Sequence, residues 1–249
     1  MSSALGRYPR PVPDSAPHAA VVLLAAGEGR RVGSDTNKVL LPLAGLPVFA
    51  WSLRTIQALE YVDHVIVVIR EQDRHVIERT LGEHFPGLEV TLVLGGSTRH
   101  GSEWHALQYI AKLIEDGELD VIAVHDAARP LARTDLFAKV IETAAQKGGA
   151  IPTHEQRALL PRDTSAAFAQ GTRLVGVQTP QAFRAGPLLD AYRRADQDGF
   201  VGTDTASCLE RYTRTEVRCV TSDASNLKIT FAEDVAIAER FLEGRGPTC

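Results

Sequence analysis

Three positive side chains and a run of small residues gather early in the chain. The stretch Leu23-Leu24-Ala25-Ala26-Gly27-Glu28-Gly29-Arg30-Arg31-Val32-Gly33 follows an apolar run, and Lys38 closes it. Small residues let a backbone approach a phosphate closely, and free N–H groups then point at its oxygens. Arg30, Arg31 and Lys38 add charge. This is chemistry for holding nucleotide phosphates, and two arginines plus a lysine suit a triphosphate better than a diphosphate. A tight turn with solvated charges is the plainer alternative. A dinucleotide loop is another, because Gly27, Gly29 and Gly33 give GxGxxxG. Such folds carry an acid at the end of the second strand to hold a ribose. Here Arg70 comes first and Glu71 second, which leaves that test open. Tyr109 and Lys112 have the wrong spacing for the Tyr-x-x-x-Lys pair of a short-chain reductase.

Further along, Asp126 ends an apolar run, where it serves either as a turn residue or as a carboxylate that helps hold a metal beside phosphates. Lys228 stands in Asn226-Leu227-Lys228-Ile229-Thr230, directly before a helix, a place that favours function over a solvated charge. Ser102 is placed to cap the helix that begins near it. His125 reads as a packed or hydrogen-bonded histidine, and Trp51 and Trp104 as core or near-core residues.

The elements that position these residues alternate. Apolar runs rich in Val and Ile at Ala20–Leu24, His64–Ile69, Val90–Leu94 and Val121–Val124 predict strands buried on both faces. Phe49, Leu53 and Ile56 mark one face of an intervening helix, and Leu107, Ile110, Ala111 and Ile114 mark another. Strand alternating with helix means an α/β fold with a mostly parallel sheet and right-handed crossovers. Ligands of such sheets bind at the carboxyl ends of the strands, which is where the small-residue loop lies. In a closing helix, Phe231, Val235, Ala238 and Leu242 face one way, and Thr230 with Glu233 predicts a capping box. Residues 151–178 break the rhythm and predict a protruding β-arm. Residues 1–17 contain four prolines and read as a loose tail, leaving one domain over 18–245.

Composition narrows the function. The chain has 249 residues, 44% hydrophobic and 23% charged, with a net charge of −4. That is ordinary for a soluble enzyme and unsuited to coating nucleic acid. Cys208, Cys219 and Cys249 have no CxxC spacing, so neither a disulfide framework nor a zinc site is expected. No apolar run reaches the roughly 18 residues of a membrane span. A cytoplasmic protein is the expectation.

Taken in order, the motifs resemble those of the 2-C-methyl-D-erythritol 4-phosphate cytidylyltransferases. They are Ala25-Ala26-Gly27-x-Gly29-Arg30-Arg31 with Lys38, Gly95-Gly96-Ser97-Thr98-Arg99 with Ser102, and His125-Asp126-Ala127-Ala128-Arg129-Pro130. Gln178-Thr179-Pro180-Gln181, Thr203-Asp204 with Ala206-Ser207, and Asn226–Thr230 complete the series, over residues 20 to about 242. The resemblance implies a Rossmann-like, mostly parallel sheet with a protruding β-arm, and a homodimer formed through that arm. It also implies attack of an acceptor phosphate on the α-phosphorus of CTP, with pyrophosphate leaving bound to Mg²⁺. By match to the family, Ala25, Ala26, Gly27, Gly96, Ser97, Arg99 and Ser102 hold the cytidine and phosphates. Arg31, Lys38 and Lys228 are the catalytic residues. Asp126, Arg129 and Thr179 face the acceptor, and Asp126 is the candidate metal ligand.

The arm departs from the family pattern, which reads Pro-Val-x-Asp-Thr. Here the stretch is Pro152-Thr153-His154-Glu155-Gln156-Arg157. Gly171 stands where the family has an arginine for the acceptor phosphate. Arg173 is the leading replacement, with Arg157 and Arg162 the other candidates. The acceptor is therefore more open than the reaction. Ribitol 5-phosphate, another polyol phosphate, or a CTP-binding paralogue without turnover are the alternatives.

Overall fold

The computed structural model describes residues 16–27, 37–156 and 174–244. Strand β1 (Ala19–Leu24) is followed by a short hairpin, β2 (Pro42–Leu43) and β3 (Leu46–Pro47), and by helix α1 (Val48–Ile56). Then come β4 (Val62–Ile69), α2 (Arg74–His84), β5 (Val90–Leu94), α3 (Arg99–Tyr109), α4 (Ala111–Asp116) and β6 (Val121–Asp126). Helix α5 (Thr134–Lys147), β7 (Gly148–Glu155), β8 (Val175–Val177) and β9 (Gln181–Arg184) follow. The last elements are α6 (Ala185–Asp198), α7 (Thr205–Tyr212), β10 (Glu216–Thr221) and α8 (Glu233–Glu243).

The main sheet runs β10-β7-β9-β6-β1-β4-β5, with β8 paired to β7. Strands β6, β1, β4 and β5 are parallel, as are β7 and β10, while β9 runs antiparallel to both β6 and β7. This is the mostly parallel α/β sheet that the apolar runs predict. Alternate residues of the central strands enter two separate cores. Val21, Leu23, Val67 and Ile69 pack with α1 and α5, whereas Val22, Ile66, Val68 and Val124 pack with α3 and α6. Fully burying one such side chain stabilises the fold by roughly 1.5–3 kcal/mol, so an apolar run without polar interruptions is what a strand covered on both faces requires.

Three local expectations are corrected. The stretch marked by Leu107 to Ile114 is not one helix, because the chain breaks at Ile110 between α3 and α4. The cap of α8 is not the Thr230–Glu233 box. That helix begins at Glu233, and Asp234 reaches back to accept from the Thr230 and Phe231 N–H groups at 2.7 and 2.8 Å. Phe231 is accordingly exposed, while Val235, Ala238 and Leu242 pack under the helix. Residues 151–153, expected to leave the sheet, instead belong to it, since β7 pairs them in parallel with β10; from Thr153 to Glu155 the strand pairs antiparallel with β8, and most of the expected arm, 157–173, lies outside the described residues.

Candidate functional site

Register brings the strand ends level. Leu24 lies opposite Val68 on one side and opposite Asp126 on the other. The segments leaving β1, β4, β5 and β6 therefore open at one edge, around a cleft of about 540 Å³. Ala26, Gly27, Lys38, Gly96, Ser97, Arg99, Ser102, Asp126 and Lys228 all line it. These residues come from both ends of the sequence, so the fold gathers most of the predicted site. Ala25 lies just beneath, fully buried, with its N–H donating to Val68 O at 2.8 Å.

Small residues are needed here for a visible reason. A Cβ built on Gly95 would lie 2.4 Å from Ala26 Cβ, and one on Gly96 would lie 2.8 Å from the Gly101 backbone. The segments after β1 and β5 thus touch, and any side chain at these glycines would force a shift. Thr98, not Ser102, caps α3 by accepting from the Gly101 N–H at 2.9 Å. Ser102 sits in the first turn, donates to Thr98 O at 3.0 Å and accepts from the Gly96 N–H at 3.1 Å. Its hydroxyl fixes the Gly95–Gly96 turn against the helix.

The charged floor centres on Asp126. Its Oδ1 accepts from Arg99 Nε at 3.2 Å and its Oδ2 from Lys228 Nζ at 2.6 Å. Burial alone would raise the Asp126 pKa, but the Arg99 and Lys228 cations outweigh it and hold the carboxyl well below the usual carboxylate range. Behind it, the Thr179 hydroxyl accepts from the Asp126 N–H at 3.0 Å and lies 3.0 Å from His125 Nδ1. His125 Nε2 lies 3.2 Å from Arg129 O. One tautomer satisfies both contacts: Nε2–H donates to the carbonyl, and Nδ1 accepts from Thr179. Burial lowers the His125 pKa to about 4, which agrees with that neutral ring. His125 is thus a packed and bonded histidine, with its ring 5.0 Å from that of Phe137.

Arg129 and Thr179 stand beside the cleft rather than in its lining. Arg129 Nη1 donates to Asn226 O at 2.7 Å, and Asn226 Nδ2 donates to Thr179 O at 2.9 Å. Both residues therefore brace the segment that carries Lys228. Among the described residues, no group of three His, Cys, Asp or Glu side chains is placed to hold a metal ion.

With this geometry established, similarity to known proteins decides the family. The sequence model of the 2-C-methyl-D-erythritol 4-phosphate cytidylyltransferases matches residues 19–244. The chain belongs to that family. A relative named for this activity in Symbiobacterium thermophilum is 36% identical over 234 residues, covering 92% of this chain and 95% of the relative. Another, in Bacillus cytotoxicus, is 34% identical over 225 residues, covering 89% and 96%. The crystal structure of the Francisella tularensis cytidylyltransferase is 25% identical with a TM-score of 0.73, covering 90% of this chain and 99% of that one.

For a member of this cytidylyltransferase family, two functional neighbours escape a reading of motifs. Asn37 is buried, and its Nδ2 donates to Ala25 O at 2.8 Å and to Asp73 Oδ2 at 2.7 Å. It ties the start of the phosphate loop to its end, next to Lys38, while Arg70 holds Asp73 through Nε and Nη2. Glu103 is the second, and Arg99 Nη1 donates to it at 2.5 Å. A signal for Glu103 exists in the sequence: positions 103, 106, 107 and 110 share one helix face, and the other three are apolar. Arg31 and Arg173 lie outside the described residues, as do Arg157, Arg162 and Gly171.

Proposed function

We propose that this chain transfers the CMP part of CTP to 2-C-methyl-D-erythritol 4-phosphate, a step that supplies isoprenoid precursors. An acceptor phosphate oxygen forms a bond to the α-phosphorus. The bond from that phosphorus to the bridging oxygen breaks, and pyrophosphate leaves. The observation that carries the reading is the single cleft in which the Ala26–Gly27 and Gly95–Gly96 loops face Lys38, Arg99, Asp126 and Lys228.

Little covalent chemistry is asked of the protein, since positioning and charge neutralisation are the main needs of phosphoryl transfer. The small-residue loops admit the nucleotide phosphates. Lys38, with Arg31, neutralises charge on the leaving pyrophosphate. Lys228 bridges the acceptor phosphate and the α-phosphate, releasing Asp126 Oδ2 as phosphate oxygens replace that carboxylate. Thr179 and Arg129 act by holding Asp126 and the Lys228 segment in place. Arg173 takes the acceptor phosphate from the arm.

Mg²⁺ belongs to this reading as the companion of the triphosphate. Magnesium prefers six oxygens and keeps several waters, needing few protein ligands. Both Asp126 oxygens are committed to cations, so the described residues do not form a ready-made magnesium seat. Asp126 becomes a metal ligand only if Lys228 leaves it.

A homodimer built through the arm fits the same reading. Leu174 and Val177 are exposed large apolar residues at its base, suited to cover by a second copy. A cytoplasmic setting fits the free thiols of Cys208 and Cys219, and among the described residues no helix is long and apolar enough to cross a membrane. The altered arm keeps ribitol 5-phosphate as the second acceptor to test. Pyrophosphate release from CTP and Mg²⁺, with each polyol phosphate in turn, tests the assignment. Release with methylerythritol phosphate is expected, and release only with ribitol 5-phosphate would reassign the acceptor.

A further inference from the structure

One buried charge has no part in the reaction as described above. Glu103 is 1% exposed and sits among the apolar residues between α3, α6 and α7. Its carboxylate accepts from Arg99 Nη1 at 2.5 Å on its own helix, from Tyr192 OH at 2.5 Å on α6, and from Thr205 Oγ1 at 2.6 Å on α7. Arg99 is in turn held at a second point, since its Nε donates to Asp126. The guanidinium is a planar fork with fixed donor directions. Once Nε and Nη1 are taken, Nη2 is its unengaged edge among the described residues, and Arg99 lines the cleft beside Gly96 and Ser97.

We propose that Glu103 is a positioning residue for nucleotide binding, which fixes the Arg99 guanidinium so that its Nη2 edge meets CTP and only its Nε rests on Asp126. This rests on the reading of the cleft as a CTP site. Stability is a poor explanation for the carboxylate. A buried ion pair is commonly no more stabilising than apolar side chains of similar volume, although replacing Glu103 alone leaves the Arg99, Tyr192 and Thr205 donors without their acceptor. What an apolar residue cannot do is hold Arg99 away from Asp126. Without Glu103, the two-pronged face of the guanidinium is free to close on both Asp126 oxygens, a geometry arginine favours with carboxylates. It would then compete with Lys228 for Oδ2 and turn Nη2 from the cleft. Tyr192 and Thr205 serve Glu103 by satisfying its remaining lone pairs, so that it stays where Arg99 can use it.

Glu103→Leu and Glu103→Gln in the full-length protein separate positioning from structure. CTP binding with Mg²⁺ is measured by calorimetry, and unfolding by thermal melting without ligand. Both variants are expected to bind CTP about tenfold more weakly or worse. Glu103→Leu strips the acceptor from three donors and is expected to melt lower, whereas Glu103→Gln keeps an acceptor oxygen in the same place and is expected to melt within about 3 °C of the wild type. The inference is overturned if a folded variant binds CTP within about twofold of the wild type. It is also overturned if Glu103→Gln loses affinity only together with a large drop in melting temperature, which marks a structural residue. Failure of the wild-type chain itself to bind CTP would remove the reading of the cleft along with this inference, whereas normal wild-type binding with unchanged variants removes this inference alone.

Discussion

The two sides of the cleft are made of different material. The side proposed for the nucleotide is backbone and small side chains, supplied by the ends of β1 and β5, which are separated only by β4. Its contacts are steric and close: Ala26 against Gly95, Gly96 against Gly101. The side proposed for the acceptor is polar side chains from distant parts of the chain, with Asp126 and Lys228 in the lining and the others braced behind them. Asp126 is tied to Lys228, Arg129 to Asn226, and Thr179 to Asp126 and His125. A side made of backbone cannot exchange its specificity without losing its turns. A side made of side chains can trade one residue for another while the turns remain. On that division, the departures at Gln156 and Gly171 are proposed to bear on the acceptor, while the motifs assigned to CTP are retained.

The largest expected effect tests the charges shared by both sides. Lys228→Ala should lower turnover by about 10²- to 10³-fold, the usual loss for a preorganised electrostatic donor. Lys38→Ala and Arg31→Ala should each cost about 10²-fold, with little change in unfolding temperature. Pyrophosphate release measures all three, and near-normal turnover in any of them removes that residue from the charge-neutralising set.

Next comes a change confined to the acceptor side. Arg173→Ala should raise the acceptor KM by roughly 10- to 100-fold, equivalent to one lost charged hydrogen bond, and leave CTP affinity alone. If acceptor KM stays normal here and in the Arg157→Ala and Arg162→Ala variants, none of the three has replaced the family's arm arginine. Gly95→Ala addresses the other side. Its Cβ would meet Ala26 Cβ at 2.4 Å, so overpacking should destabilise the fold by roughly 1–3 kcal/mol and weaken CTP more than the acceptor. Equal weakening of both ligands would mean that the two sides are not separable.

The smallest effect concerns acid. His125 is neutral in the fold, with its pKa depressed from 6.5 to about 4, and it charges freely in the unfolded chain. Protons therefore favour unfolding. Its contribution is complete above about pH 6.5 and is lost as pH falls toward 4, amounting to roughly 2 kcal/mol by pH 5. Melting curves of wild type and His125→Asn at pH 7.5 and 5 check this. The variant should lose less stability over that interval, and an equal loss would mean that other groups set the acid limb.

Legibility in the sequence followed the same division. The parallel strands were readable because burial on both faces demands unbroken apolar runs. Ala20–Leu24 and Val90–Leu94 match β1 and β5 within one residue. The small-residue loops were readable because close approach excludes side chains. The cap of α8 is not legible in the sequence because Asp234 and Glu233 are neighbours, and only geometry shows which carboxylate turns back. Glu103 and Asn37 were missed because a charged or amide residue reads as solvated unless its partners are known. Those partners, Tyr192 and Thr205 for one and Asp73 for the other, are far away in the chain.

The central claim is that one cleft receives both CTP and a polyol phosphate, with Lys228 between them. Its most direct test is single-turnover transfer from α-³²P-labelled CTP to methylerythritol phosphate, by wild type and by Lys228→Ala, with CTP binding measured alongside. The wild type is expected to give labelled cytidine diphosphate–polyol, and the variant a rate lower by about 10²-fold or more at nearly unchanged CTP affinity. Label transfer by the variant at the wild-type rate would contradict that claim.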